Sequence, residues 1–266
     1  MKRIFTVDVE EWFNIIDCPG APQIESWDAQ QSRVEANTDV ILQLMADAGV
    51  KGTFFILGWV AERHKKMVKT ISEQGHEIAS HGQSHRLIGD LGPEGFERDV
   101  VESKALLEDA SGTEVLGYRA PGFSLTSKTL WALDILIKSG YQYDASTLIG
   151  RHSHGGLESL PQRDDIKMLS VPTAGIGKFR VTYCGGGYLR LFPLALVQHF
   201  AKRDIAAGTP VVYYVHPREI DPDQPRMKIP HWRRFKHYVG LSKNKQKIEK
   251  ILKGSEFVTA RAYFGL

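Results

Sequence analysis

Residues 34–80 read VEANTDVILQLMADAGVKGTFFILGWVAERHKKMVKTISEQGHEIAS, and this stretch decides the fold. From Val34 to Ala48, the residues Val40, Ile41, Leu44, Met45 and Ala48 fall on one face of a helix. Gly49 stops it, and Gly52-Thr53-Phe54-Phe55-Ile56 is a strand. A second helix is expected near 59–74, stopped at Gly75. His76-Glu77-Ile78-Ala79-Ser80 is the next strand. Strands alternating with helices over short connections pair in parallel. The same alternation continues outward. Residues 3–8 read as a core strand. Phe96 to Ala110 is helical, Glu114 to Tyr118 extended, Ser127 to Lys138 helical and Tyr141 to Asp144 extended. The stretch 150–190 is irregular and glycine-rich. A helix near 193–207 precedes the strand Val211-Val212-Tyr213-Tyr214-Val215. One such unit after another, at this length, favours an α/β barrel over an open sheet.

The 266 residues are 42% hydrophobic and 24% charged, which excludes a disordered chain, a collagen-like chain and a disulfide-stapled miniprotein. Cys18 and Cys184 read as two free thiols. Neither a leader segment nor a membrane-spanning run is visible, so a cytoplasmic location is expected. The net charge of +3 conceals an asymmetry. Residues 226–253 carry ten Lys or Arg and one acid, Glu249, so the body before them is acidic. The expected organisation is a barrel over 1–225 with a basic C-terminal segment, 226–266, packed on the same domain. Basic segments suit an anionic membrane surface, an acidic substrate or nucleic acid. No nucleic-acid motif accompanies the charge, so no nucleic-acid partner is expected.

In parallel α/β folds, chemistry collects at the carboxyl ends of strands. The first strand runs into Asp8-Val9-Glu10-Glu11. The third runs into His81-Gly82-Gln83-Ser84-His85, the fourth into Arg119-Ala120-Pro121-Gly122. The next ends in Asp144 and the last in His216-Pro217. Imidazoles four apart, His81 and His85, can share one metal ion. Asp8 and Glu10 point to one side of an extended segment, where two carboxylates repel unless a cation intervenes. Together they make a ligand set for Zn²⁺ or a similar divalent ion, with a carboxylate left over to act as a base.

The segments Thr6 to Phe13, Ser80 to His85, Tyr118 to Gly122 and Val215 to Pro217 resemble, in order and spacing, the successive motifs of the polysaccharide deacetylases. These are the NodB-homology, or carbohydrate esterase family 4, enzymes. The resemblance covers residues 4 to 217. It implies a distorted, often incomplete (β/α) barrel and metal-dependent removal of N-acetyl or O-acetyl groups from a glycan or glycan precursor. The divalent metal would be Zn²⁺, with Co²⁺ or Ni²⁺ as alternatives. By the same resemblance Asp8 is the catalytic base and Glu10, His81 and His85 are the metal ligands. Arg119 pairs with the base, Gly122 lends its backbone N–H to an oxyanion hole, and His216 is the general acid. Gly185 to Arg190 and the basic segment resemble the subgroup encoded with exopolysaccharide or O-antigen genes.

The family's usual first motif has adjacent acids. Here Val9 intervenes, leaving Glu11 as a competitor to Glu10. The family's usual Asp-Trp pair for the acid histidine is missing; Asp144 is the preferred substitute and Glu219 the other. Trp12, Phe13 and Trp27 are candidates to stack on sugar rings, with rim packing equally open, and Tyr188 is a further substrate-binding candidate. Gly185 to Gly187 reads as a tight turn. His152, His154 and His231 read as surface residues, and His64 and His76 as structural. Two other functions stay open: hydrolysis of a non-sugar amide, as in allantoinase-like relatives, and silent sugar binding. The second would predict loss of the base, a ligand or the acid, and all three are present. For a glycan enzyme the basic segment suggests contact with a pyrophosphate-linked substrate or the cytoplasmic membrane surface.

Overall fold

The computed structural model describes residues 3–16, 18–150, 154–176 and 179–266; of the residues named above, His152 lies outside them. Strand β1 (Arg3–Val9) is buried along almost its whole length, as a central parallel strand with apolar residues on both faces should be. After it come helix α1 (Val34–Asp47), strand β2 (Thr53–Ile56), helices α2 (Gly58–Arg63) and α3 (Lys65–Glu73), and strand β3 (Glu77–Ser80). Then follow α4 (Ile88–Ser111), β4 (Gly117–Tyr118), α5 (Trp131–Lys138) and β5 (Tyr143–Leu148). The chain continues through β6 (Lys167–Val171), β7 (Thr173–Ile176), β8 (Phe179–Thr182), α6 (Gly186–Leu191), α7 (Leu194–Ala206) and β9 (Val211–Val215). It ends with α8 (His231–Tyr238), α9 (Leu241–Lys253), β10 (Phe257–Val258) and α10 (Ala260–Phe264).

Strands β1 to β6 pair successively in parallel, and β9 pairs in parallel with the other edge of β1. Gly185 bridges Tyr214 on the remaining edge of β9 and draws the sheet into a nearly closed barrel. A Cβ on Gly185 would lie 2.1 Å from the Tyr214 ring, so only glycine permits this approach. The hairpin β7–β8 is antiparallel and stands apart from the barrel sheet.

The segment 226–266 is more than an appendage. Its strand β10 pairs with Arg3 and Ile4 of β1, on the edge that β2 occupies further along. Helix α10 then closes the amino-terminal end of the barrel. The Ala260 N–H donates to Thr53 Oγ1, the Arg261 N–H donates to Glu77 Oε2, and Phe264 packs on Tyr143.

Several elements depart from the sequence reading. The single helix expected at 59–74 is broken at His64, whose ring contacts Glu35 and Ser32. The apolar spacing runs through the break, from Val60 to Met67 and Ile71, so the pattern does not reveal it. Helix α4 begins before the expected residue 96, because Gly92-Pro93 kinks it without ending it. The irregular 150–190 stretch holds three strands, interrupted by Pro172 and glycines that mask their alternation. Gly185 to Gly187 is a helix start instead of a tight turn. Strand β5 begins at Tyr143, so Asp144 lies near its start and not at its end.

His76 is structural. Its Nδ1 accepts the Gly52 N–H at 3.2 Å and its ring packs on Phe54. Burial, helped by Lys51, pushes its pKa down from 6.5 to about 4. Between those values the unfolded chain binds a proton that the folded one refuses. The stabilisation is therefore complete above about pH 6.5 and is lost as pH falls toward 4, up to roughly 3 kcal/mol. His76→Gln keeps an acceptor but does not titrate. Denaturation of both proteins at pH 7 and pH 4.5 should show the wild type losing more stability than the variant; equal losses would refute this role.

Candidate active site

The site is built on the barrel interior at the carboxyl ends of the strands. Thr6 and Asp8 share the inner face of β1, and Arg119, following β4, reaches across to both. Its Nη1 donates to Asp8 Oδ1 at 2.5 Å and to Thr6 Oγ1 at 2.8 Å. Nε donates to the Ala145 carbonyl, and the guanidinium carbon lies 4.0 Å from the centre of the Phe55 ring. Arg119 is fully buried. A charge placed there stands only because a carboxylate faces it.

Glu10 follows the last residue of β1 and is buried. The donor atoms of Glu10, His81 and His85 all lie within 4.8 Å of one another. His85 Nε2 is 2.6 Å from Glu10 Oε2, yet that oxygen has no hydrogen-bond partner. His81 donates Nδ1–H to the Arg119 carbonyl at 2.7 Å, which fixes the tautomer and leaves the Nε2 lone pair free. Burial pushes the His81 pKa down to about 4, so the imidazole is neutral. Burial works against ionised Glu10, but His85, His216 and Arg218 outweigh it and hold the carboxylate far below its usual range. Two neutral-capable imidazoles and a buried, ionised carboxylate fit a divalent cation.

Glu11 is occupied elsewhere. It accepts from Ser32 Oγ and from the backbone N–H groups of Arg33 and Val34, so it caps α1 from more than twenty residues away. Of the two competing acids, only Glu10 stands among the histidines.

His216 lies beyond β9, with Nε2 3.2 Å from Glu10 Oε1 and 3.9 Å from Asp8 Oδ2. Its other ring nitrogen is 3.5 Å from Glu219 Oε2, and its backbone N–H donates to the same oxygen. Glu219 also accepts from Arg190 Nε at 3.1 Å. Burial opposes charge on both partners. The charges of Glu10 and Glu219 nevertheless raise His216 above its ordinary value, and His216 and Arg190 hold Glu219 down at about 2. The partner of His216 is thus Glu219. The expectation for Asp144 fails because its carboxylate is turned to Ser146, accepting from its N–H and Oγ. Ser146 Oγ in turn accepts the Ala120 N–H, so Asp144 props the Arg119–Gly122 loop from behind. Burial raises Asp144 to about 6.

Gly122 lines the cleft with φ +63°, and a Cβ there would sit 3.2 Å from Leu87 and 3.3 Å from His154 and Ile16. Phe123 beside it and His85 across the cleft are the non-glycine residues with positive φ, both 52°, among the described residues. The cleft holds about 190 Å³ and is lined by Asp8, Glu10, His81, His85, Gly122 and His216 among others.

The aromatic expectations fail in part. Trp12, Phe13 and Trp27 are buried together with Met227 and Ile229, and both indole N–H groups bond backbone carbonyls. Trp12 and Phe13 are packing; Trp27, also buried, borders a groove that His85 lines as well. Tyr188 stands in the wall of a neighbouring cavity instead of the metal cleft. Sequence reading missed Arg218, whose Nη2 is 3.5 Å from Glu10 Oε1. It also missed Asp99, an acid on the buried face of α4. Asp99 accepts from the N–H groups of Gln83 and Ser84 and from Ser84 Oγ, and so shapes the turn between the two histidines. A carboxylate among apolar helix positions was the available signal.

The nearly closed parallel barrel thus gathers two histidines and a carboxylate, a buried Asp–Arg pair and a carboxylate-backed histidine. Residues 25–143 match the family model "Polysaccharide deacetylase", and residues 146–265 match "Domain of unknown function (DUF3473)". A peptidoglycan-N-acetylglucosamine deacetylase of Bacillus cereus is 30% identical over 98 residues, 36% of this chain and 36% of the relative. A chitooligosaccharide deacetylase of Sinorhizobium fredii is 29% identical over 103 residues, 38% of this chain and 45% of the relative. The matched stretches thus span less than half of these relatives. The crystal structure of a putative polysaccharide deacetylase from Mycobacterium smegmatis superposes with a TM-score of 0.62 at 19% identity, covering 98% of this chain and 87% of that one. Residues 25–143 are thus similar to the polysaccharide deacetylases.

The two neighbouring acids can be told apart in solution. Glu10→Gln should weaken Zn²⁺ or Co²⁺ binding at least tenfold by titration calorimetry while changing thermal stability little. Glu11→Gln should leave metal affinity near wild type and lower stability by about 1–2 kcal/mol through loss of the helix cap. The reverse pattern would reassign the ligand.

Proposed function

We propose that this protein is a metal-dependent deacetylase that removes N-acetyl groups from a sugar in a glycan or glycan precursor. One observation carries the reading. The Glu10–His81–His85 set, the Asp8–Arg119 pair and the Glu219-backed His216 face a single cleft. The relatives' names, peptidoglycan-N-acetylglucosamine and chitooligosaccharide deacetylase, favour an N-acetylhexosamine. The resemblance of Gly185 to Arg190 favours a role in making exopolysaccharide or O-antigen-type glycans.

A divalent ion held by Glu10, His81 and His85, Zn²⁺ before Co²⁺ or Ni²⁺, would supply Lewis-acid polarisation of the acetyl carbonyl. The chain's own residues do the rest. Asp8, anchored by Arg119 and Thr6, accepts the proton of the attacking water. The Gly122 N–H is offered to the developing oxyanion, where no side chain obstructs the acetyl group. His216, whose pKa Glu10 and Glu219 raise against the effect of burial, gives its proton to the departing amine. Arg190 keeps Glu219 ionised in turn.

Acetate release should be detectable from at least one of free, nucleotide-linked, lipid-linked or polymeric N-acetylhexosamine. His216→Ala should lower kcat by about 10²–10⁴-fold with metal content unchanged. A chelator should abolish turnover and added metal restore it. Hydrolysis of a cyclic ureide with no acetate from any sugar, or undiminished turnover by metal-stripped protein, would sink the proposal.

A further inference from the structure

We propose that the substrate is an amphiphile, an acetylated sugar joined through phosphate to an apolar chain, bound across three adjoining compartments. The sugar end rests on the deacetylase reading; the other two compartments stand on their own geometry. The candidate metal cleft adjoins a second cavity of about 240 Å³, with which it shares the lining residues Ile15, His154, Gly186, His216 and Arg218. The second cavity adjoins a third of about 560 Å³, sharing Gly187, Trp232 and Lys236. That volume lies within the range of about 300–1,000 Å³ typical of ligand sites.

The three compartments differ in chemistry in a fixed order. The first is polar and holds the hydrolytic groups. The second is cationic, lined by Arg218, Arg233 and Lys236. Its one acid, Glu219, is already engaged by Arg190 and His216. Arg233 and Lys236 have no carboxylate partner among the described residues, and the buried Arg218 Nε has no hydrogen-bond acceptor. The third is largely apolar, walled by Leu148, Ile149, Val181, Leu191, Trp232 and Phe235, with Arg180 and Lys236 also in its lining and no Asp or Glu among the described residues. Trp232 and Phe235 are 63% and 62% exposed, on a helix that buries no residue of its own. Helix α8 is nonetheless held in place: Arg190 donates to the carbonyls of Lys236, His237 and Val239. A fixed helix that presents large apolar side chains into a cavity is arranged for an apolar ligand.

Charge complementarity selects the occupant. A neutral polysaccharide has no use for two cations without a carboxylate partner beside the cleft, nor for a largely apolar cavity beyond them. Sugar, then phosphate, then hydrocarbon matches the order of compartments. Tyr188, in the wall of the third, then meets the apolar chain and not a sugar ring.

Farnesyl diphosphate is a probe for the second and third compartments that needs neither metal nor catalysis. It should bind the full chain and change tryptophan fluorescence. The double variant Trp232→Ala/Phe235→Ala should weaken that binding at least tenfold by calorimetry, and so should Arg233→Glu/Lys236→Glu. Inorganic diphosphate should respond only to the charge variant. In turnover, the aromatic double variant should raise KM at least tenfold for farnesyl-diphosphate-linked N-acetylglucosamine and leave KM for a chitooligosaccharide unchanged. No binding of farnesyl diphosphate, or an equal effect on both substrates, would overturn the proposal. So would loss of binding to anionic vesicles with farnesyl diphosphate binding intact, because α8 would then be a membrane-surface contact. Farnesyl diphosphate binding with no acetate from either substrate would sink the deacetylase reading and leave this subsite standing.

Discussion

The buried ion pair between Arg119 and Asp8 is the constraint around which this barrel is arranged. A guanidinium at the centre of an α/β barrel carries a large desolvation cost, and removing its partner would cost about 3–5 kcal/mol. The fold meets that cost with a carboxylate, a threonine hydroxyl, a backbone carbonyl and an aromatic face. Once Arg119 is fixed, its own carbonyl accepts from His81 and sets the tautomer of that ring. Asp8, held from behind, turns its other oxygen toward His216. One interaction therefore links Asp8, His81 and His216, drawn from β1, the turn after β3 and the end of β9.

The supports around this pair are carboxylates with distinct duties. Glu11 caps a helix, Asp99 shapes a turn, Asp144 props a loop through Ser146, and Glu219 orients and charges a histidine. Among the described carboxylates, Asp8 and Glu10 alone line the cleft. The acidic character of the chain before residue 226 is thus scaffolding as much as chemistry. The basic segment is likewise divided. Lys247 is tied to the carbonyls of Leu189, Arg190 and Phe192, whereas Arg233 and Lys236 stand open beside the cleft. The two halves of the chain contribute different groups: Asp8, Glu10, His81 and His85 come from the first, His216, Glu219 and Arg218 from the second.

Periodicity of 3.6 and 2 in the sequence was enough to find α1, β1, β2, β3, α7 and β9, because these elements bury one continuous apolar set. Asp8, Glu10, His81, His85, Arg119, Gly122 and His216 were legible because strand ends in a parallel sheet converge, and they do converge here. The strands within 150–190 were not legible, since proline and glycine interrupt their alternation. The roles of Trp12 and Phe13 were not legible either. An aromatic side chain looks the same in a sequence whether it meets a sugar or Met227 and Ile229 from the far end of the chain.

The sequence by itself determined the parallel barrel and the residue types of its site, since both follow from local pattern and from where strands end. Only the tertiary structure decided which of several equivalent carboxylates does what. Glu10 and Glu11 are adjacent, and Asp144 and Glu219 are both acids near strands; no local propensity separates them. Their duties are set by contacts that reach across the chain: Glu11 to Arg33, Asp144 through Ser146 to Ala120, Glu219 to Arg190. The same holds for the cationic passage, because Arg218 and Arg233 meet beside His216 only after the chain has folded back over its own barrel.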